Sequence, residues 1–216
     1  MRTVPQVLRS LPLAFLCFYG AGLGSAIAQA PPKPAATQAT TFTTDNPQWG
    51  PGIKESAGVA YTCPGGGVMV GMRHTGDENG DSYYQCAGLL PAPVTLKECE
   101  WSSFVKENQG YYSCPGNKVM IGRQHYRDEN GDTRYQCCNL VYNQDVSVYL
   151  NSNTCGWSPS QRESSTNYTC PLNEVMTARD HQGDENGPTS YYCCGLTTDS
   201  ARQVTAAPKR PAAPSQ

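Results

Sequence analysis

Apolar and polar positions alternate over short stretches, and the same stretch returns three times. From Val68 to about His74 the alternation predicts a strand with Met69 and Gly71 on one face and Val70 and Met72 on the other. Met120/Gly122 and Met176/Ala178 fill the matching slots, and a small residue beside Met predicts an aromatic ring packed against it. Asp-Glu-Asn-Gly follows, starting at Asp77, Asp128 and Asp184. This is turn chemistry, since Asn and Gly tolerate positive φ and Asp bonds its own backbone. A returning strand then puts Tyr84 and Cys86 on one face and Tyr83 and Gln85 on the other. Each stretch reads as a β-hairpin.

Fixed offsets tie the copies together. Cys-Pro begins at Cys63, Cys114 and Cys170, each with Tyr two residues earlier and Val-Met five residues later. The three histidines fall at one position, His74, His125 and His181, and Tyr-x-Cys closes each copy at Cys86, Cys137 and Cys193. Trp49, Trp101 and Trp157 stand 14, 13 and 13 residues ahead of their Cys-Pro. The expected fold class is all-β, a pseudo-three-fold repeat of disulfide-linked hairpins in one domain, 49–198, with copies 49–100, 101–156 and 157–198. A β-trefoil-like arrangement and three hairpins about an axis both satisfy the repeat length.

The ends read differently. Residues 1–28 have the form of an export signal: Arg2 and Arg9, an apolar run from Leu11 to Leu23, and Ala26-Ile27-Ala28 as a small-x-small cleavage site. That run is too short and too close to the cleavage site for a membrane span. Its short, Ala-rich character is bacterial. Residues 29–48 and 199–216, rich in Ala, Pro, Thr and Gln, read as a linker and a disordered tail. A secreted or periplasmic address follows. A net charge of -2 and a pI near 5.9 give no support for nucleic-acid binding, which needs a basic stripe.

Of eleven cysteines, Cys17 leaves with the leader, and an even set in an exported chain predicts disulfides. A zinc site is disfavoured, because no C-x-x-C pair is present. Cys137-Cys138 and Cys193-Cys194 are neighbours on returning strands, so each pair points both ways and needs two partners. The candidates are the Cys-Pro cysteines, Cys114 and Cys170, and the Cys-x-Trp cysteines, Cys99 and Cys155. The first copy has neither a preceding cysteine nor a second return-strand cysteine, having Ala87 there, which leaves Cys63–Cys86 as the surest bridge.

Tyr61-Thr-Cys63-Pro64 with Val68 and Val70, Cys99-Glu-Trp101 and Tyr135-Gln-Cys137-Cys138 together resemble the repeat of the dermatopontin family. The resemblance runs from about Trp49 to Leu196. It implies five disulfides, an extracellular setting and adhesion or glycan binding. It also implies that the Cys-x-Trp cysteine bonds the first of each adjacent pair, giving Cys99–Cys137 and Cys114–Cys138, with Cys155–Cys193 and Cys170–Cys194 to match. Cys86 stands in that same first register yet must bond Cys63, which speaks against this crossing. The family's Asp-Arg-x-Trp signature is absent, with Ser82, Thr133 and Thr189 four residues before the closing cysteines.

His-x-x-Asp-Glu-Asn-Gly is the candidate site, three times over. Its ligand-binding residues are His74, Asp77, Glu78, Asn79 and Tyr83; His125, Asp128, Glu129 and Asn130; and His181, Asp184, Glu185 and Asn186. Carboxylates and amides bond sugar hydroxyls, an exposed Tyr83 can stack on a pyranose, and three weak sites gain by avidity on a polymer. Asp77, Asn79 and Asp81, with Asp128, Asn130 and Asp132, echo half of a calcium loop. No acidic residue closes that shell, and Pro188 replaces the last Asp in the third copy. Against both stands a plain structural role, with Asp capping the turn and His packing across the hairpin. Three equivalent histidines could also meet on an axis around one metal ion, although hairpin tips are expected to splay. No cofactor is required.

Repetition of one polar set suits binding better than catalysis, which wants one asymmetric cleft. The expected function is non-catalytic recognition of extracellular or cell-surface polysaccharide. The alternative is a secreted protein-binding or structural envelope protein, calcium-stabilised or associated with a toxin or matrix.

Overall fold

The computed structural model describes residues 38–210 except Glu78, Glu129 and Thr205. The stretch read as an export leader, the start of the expected linker and the end of the expected tail lie outside the described residues. The chain is all-β, and no helix among the described residues is long and apolar enough to cross a membrane.

The first unit comprises β1 (Thr43–Trp49), β2 (Ile53–Lys54), β3 (Tyr61–Thr62), β4 (Val68–Thr75) and β5 (Asp81–Leu90). The second repeats the order with β6 (Val94–Trp101), β7 (Val105–Lys106), β8 (Tyr112–Ser113), β9 (Val119–Tyr126) and β10 (Asp132–Tyr142). The third has β11 (Val146–Trp157), β12 (Gln161–Arg162), β13 (Asn167–Thr169), β14 (Val175–His181) and β15 (Pro188–Thr197). In each, the hairpin β4/β5, β9/β10 or β14/β15 is flanked by the Trp-ending strand, which pairs antiparallel with the return strand. That strand lies ahead of the tryptophan, so Thr43–Gln48 belongs to the first unit rather than to a linker.

The short strand before Cys-Pro leaves its own unit. β3 pairs with β9, β8 with β14, and β13 with β4, so each unit lends one strand to the next and the third returns to the first. This hand-off explains the small residue after Met. A Cβ on Gly122 would sit 2.5 Å from the carbonyl oxygen of Tyr61, and one on Gly71 would sit 2.8 Å from that of Tyr168. A neighbour's backbone fills the slot, not an aromatic ring.

Simple alternation fails at one point in every hairpin. The register shifts between Met69 and Gly71, between Gln136 and Cys137, and between Met176 and Ala178, which leaves Val70, Ile121 and Thr177 as extra residues. Past the bulge the faces exchange, so Met72 joins Met69 instead of opposing it. One core contains Met69, Met72, Met120 and Met176 with the Tyr-x-Cys and Cys-Pro residues; the other contains Val68, Val70, Ile121, Leu140, Leu150 and Leu196. Tyr84 and Cys86 share the first core, as alternation predicts. In it, Tyr61 stacks on Tyr84, Tyr112 on Tyr135 and Tyr168 on Tyr191, with centroids 4.9, 4.6 and 5.1 Å apart.

Five disulfides close within the units, one in the first and two in each of the others. Cys63–Cys86, Cys114–Cys137 and Cys170–Cys193 each span 23 residues, whereas Cys99–Cys138 and Cys155–Cys194 each span 39. The crossing implied by the dermatopontin resemblance is therefore corrected: Cys99 bonds Cys138, and Cys114 bonds Cys137. The reason is the face each cysteine occupies. Cys137 points into the Tyr/Met core where Cys114 lies, and Cys138 points into the other core, towards the strand that carries Cys99.

Much of the C-terminal segment is laid on the protein. Ser200–Arg202 forms a 3-10 turn, Gln203 bridges to Asn151, and Ala207 is buried with its amide donating to Ser113 Oγ. Trp157 Nε1 donates to the carbonyl of Pro208 at 3.0 Å.

Candidate functional site

The hairpin tips and the histidines lie next to one another in sequence but in different surroundings. Asp77, Asp128 and Asp184 are exposed, and in each the Oδ1 accepts the amide of the Asn two residues on, at 2.9, 3.1 and 2.9 Å. The tip Gly amide closes the turn onto the Asp carbonyl at 2.7 Å in all three. Asn79, Asn130 and Asn186 are exposed beside them, and Glu185 Oε1 accepts from Asn186. Glu78 and Glu129 lie outside the described residues.

The left-handed residue of the tip is not the one expected. Gly76, Arg127 and Gly183 carry positive φ, of 101°, 71° and 93°, just before the Asp. Gly80, Gly131 and Gly187 are needed for space instead. A Cβ there would stand 2.0, 1.7 and 2.0 Å from the carbonyl oxygen that ends the outgoing strand or follows it.

The tips do not splay. The amides of Gly76, Arg127 and Gly183 donate to the carbonyls of Ser164, Ser56 and Asn108, each in the turn of the preceding unit around the ring. Of the calcium-type residues, Asp81 is exposed at the strand start, and Asp132 pairs with Lys106 Nζ at 2.9 Å. Tyr83 is half-buried under the Arg73 guanidinium, 4.2 Å from its ring centroid. Its ring atoms also stand 2.9 Å from where a Gly52 Cβ would be.

His74, His125 and His181 are buried and turn inward. Each meets a buried glutamate at 2.8 Å: His74 Nδ1 with Glu55, His125 Nδ1 with Glu107, and His181 Nε2 with Glu163. The other nitrogen of His74 faces the carbonyls of Gly76 and Asp77, and that of His125 those of Arg127 and Asp128. The histidines thus tie each tip to the interior rather than joining a surface site.

Two guanidiniums link the glutamates. Arg123 spans Glu55 and Glu107, and Arg179 spans Glu107 and Glu163, all of them buried. Each arginine joins its own unit to the one before. Burial would raise the Glu55 carboxyl, but Arg123 and His74 overcome it and hold the group far below the usual carboxylate range. Glu107 is likewise held low, against its burial, by Arg123, Arg179 and His125. For His74 burial pulls down, yet the hydrogen bond and charge of Glu55, with the charge of Glu163, raise it above its ordinary value.

Glu55, Glu107 and His125 are the one group among the described residues whose donor atoms are close enough to share a metal ion. Arg123 already supplies the positive charge, with Nη2 2.6 Å from Glu107 Oε2 and Nη1 on Glu55. A cation would have to displace it, and the trio reads as a structural ion cluster.

None of these glutamates stands out in the sequence by local pattern. The signal lies in the repeat, because Glu55, Glu107 and Glu163 each fall six residues after their tryptophan. Arg123 and Arg179 each precede their histidine by two residues, where the first unit has Met72.

The surface of each unit carries its tryptophan. Arg73 lies between Trp49 and Tyr83, at 5.2 and 4.2 Å from the ring centroids, and Arg134 lies between Trp101 and Phe104, at 4.9 and 4.8 Å. Trp157 packs on Tyr192 and meets the C-terminal segment. Comparison with family models, with curated proteins and with solved structures finds no match.

Proposed function

We propose that this chain is an exported, non-catalytic binding module for extracellular or cell-surface carbohydrate. One observation carries the reading. The groups suited to acid–base chemistry, three His–Glu pairs, are buried and held by one another or by arginine, while each unit presents outward a polar tip and a half-buried tryptophan. Rigid, disulfide-held aromatics and short polar side chains suit sugar recognition, and several weak sites on one frame gain avidity on a repeating polymer. The leader, the five disulfides and the resemblance to dermatopontin repeats support an address outside the cytoplasm.

The test is a glycan array probed with the oxidised protein, with and without calcium. Signal on a defined class of glycans supports the reading. A blank array, with a protein captured equally by wild type and by an Asp77/Asp128/Asp184→Ala variant, overturns it in favour of a protein-binding module. Calcium binding at the tips would show as a melting temperature that falls in chelator.

A further inference from the structure

The three tryptophan arms are equivalent in sequence but not in what they enclose. Between β1 and the turn that follows Cys63 lies an open cleft of about 230 Å³, lined among others by Asn46, Gln48, Trp49, Tyr61 and Gly67. The same place in the second unit, lined by Glu100, Trp101, Tyr112 and Lys118, holds only about 60 Å³. Two exchanges account for the difference. Gln48 precedes Trp49 where Glu100 precedes Trp101, and Gly67 follows Cys63 by four residues where Lys118 follows Cys114. Lys118 Nζ pairs with Glu100 Oε2 at 2.9 Å, and that pair spans the second cleft. In the third unit Trp157 is engaged by the carbonyl of Pro208.

The first cleft is kept open by its backbone. Gly65 and Gly66 adopt φ of 63° and 76°, and a Cβ on either would meet nothing within 4 Å, so one wall of the mouth carries no side chain. Opposite it, the β1/β5 register slips between Asp45 and Gln48. That bulge takes Asn46 out of the ladder at φ 47°, an unusual conformation for a residue with a side chain. Gln48 Nε2 donates to Asn46 Oδ1 at 2.9 Å, which leaves the Asn46 amide nitrogen as a donor and the Gln48 carbonyl as an acceptor. In the second unit the matching positions are Glu98 and Glu100, both carboxylates, bonded to Asn139 and Lys118.

We infer that the cleft formed by Asn46, Gln48, Trp49 and the Gly65–Gly67 turn binds one ring of an uncharged saccharide. The inference deepens the carbohydrate reading and rests on it. Every residue lining the cleft is uncharged, and the Arg73 guanidinium beside Trp49 is held between the Trp49 and Tyr83 rings, so a uronate or sulfate would lose its water without gaining an opposite charge from the lining. An indole offers a flat apolar face to the C–H side of a pyranose, and an adjacent amide donor and acceptor match two neighbouring hydroxyls. The volume lies below the roughly 300–1,000 Å³ of most small-molecule sites, which limits occupancy to about one sugar ring. The repeat therefore supplies a frame on which one copy has kept a binding cleft and another has filled it with an ion pair.

The experiment uses the whole oxidised protein and a panel of uncharged hexasaccharides (β-1,4-glucan, mannan and N-acetylglucosamine oligomers), beside uronate and sulfated oligomers, read by titration calorimetry. One neutral oligomer is expected to bind at one site per chain. Gln48→Glu with Gly67→Lys, which installs the pair found in the second cleft, should weaken that binding by about tenfold or more. Conversely, Glu98→Asn, Glu100→Gln and Lys118→Gly together should open the second cleft and raise the stoichiometry to two. If neutral sugar binds but neither change alters it, the cleft inference falls while the carbohydrate reading stands. Binding confined to acidic oligomers overturns the cleft alone. If no oligomer of either kind binds, both fall.

Discussion

Met72 stands two residues before His74 where Arg123 stands two residues before His125, and the exchange leaves the buried ion cluster one positive charge short. Three carboxylates, Glu55, Glu107 and Glu163, face two guanidiniums. His74 is placed to compensate, because it feels Glu163 as well as its own partner Glu55, and Glu55 raises it against burial.

The consequence is a defined pH profile. A histidine raised in the fold stabilises it fully below its ordinary value of 6.5 and loses that contribution as pH climbs through the raised value. Glu55 and Glu107 act in the opposite sense: their contribution is complete above 4.5 and drains away as pH falls towards their lowered values. Denaturation curves should therefore peak between about pH 4.5 and 6.5 and fall on the alkaline side with a slope approaching 1.4 kcal/mol per pH unit. His74→Gln should remove the alkaline slope and cost about 1–3 kcal/mol at pH 6. A slope unchanged in that variant would contradict the assignment.

Arg123→Met gives the second unit the residue that the first already has. Glu55 and Glu107 both depend on this guanidinium. Removing one partner from a buried ion group costs about 3–5 kcal/mol, because the carboxylates remain buried and unbalanced. Adding Glu55→Gln should restore part of that loss. Urea midpoints of the two single variants and the double measure the coupling, which should be well above 1 kcal/mol.

The cysteine pairing makes a chemical prediction. Cys99→Ser with Cys138→Ser removes a true pair, so the protein should keep four bridges, show no free thiol, and lose about 3–4 kcal/mol of loop-closure stabilisation. Cys99→Ser with Cys137→Ser takes one cysteine from each of two bridges, and thiol titration should then find Cys114 and Cys138 free or mispaired. The opposite pattern would restore the crossing that the family resemblance implies.

What could be read from the chain was whatever is local. Period-two patterning and fixed offsets place the hairpins, put Tyr84 and Cys86 on one face and single out Cys63–Cys86. Three things escaped, each for a physical reason. The bulges at Val70, Ile121 and Thr177 insert one residue without changing the apolar pattern, so Met72 reads as facing the wrong way. The hand-off of β3 to β9 is a contact between units, visible in sequence only as the small residue Gly122, which local pattern assigns to an aromatic ring rather than to a neighbour's backbone. Glu55, Glu107 and Glu163 resemble ordinary loop acids, because the arginines that make their burial tolerable come from strands far along the chain. The tips were legible as turns, but their histidines belong to the interior.

Those tips offer the sharpest check on the backbone. Arg127 holds φ 71° where its counterparts Gly76 and Gly183 hold 101° and 93°. A left-handed conformation costs an L-residue roughly 1–2 kcal/mol, and glycine gives up part of that gain through its freer unfolded chain. Arg127→Gly should therefore leave stability unchanged or raise it by up to about 1 kcal/mol. Gly131, four residues on, should behave in the reverse way. Its φ needs no glycine, but a Cβ would lie 1.7 Å from the carbonyl oxygen of Tyr126 and 2.6 Å from that of Asp128. Gly131→Ala must open the turn that Asp128 closes, and a loss of about 2 kcal/mol or more is expected from such overpacking against rigid backbone. Thermal melts of the two single variants decide the matter: shifts of the same sign and size would mean that the two positions play a single role.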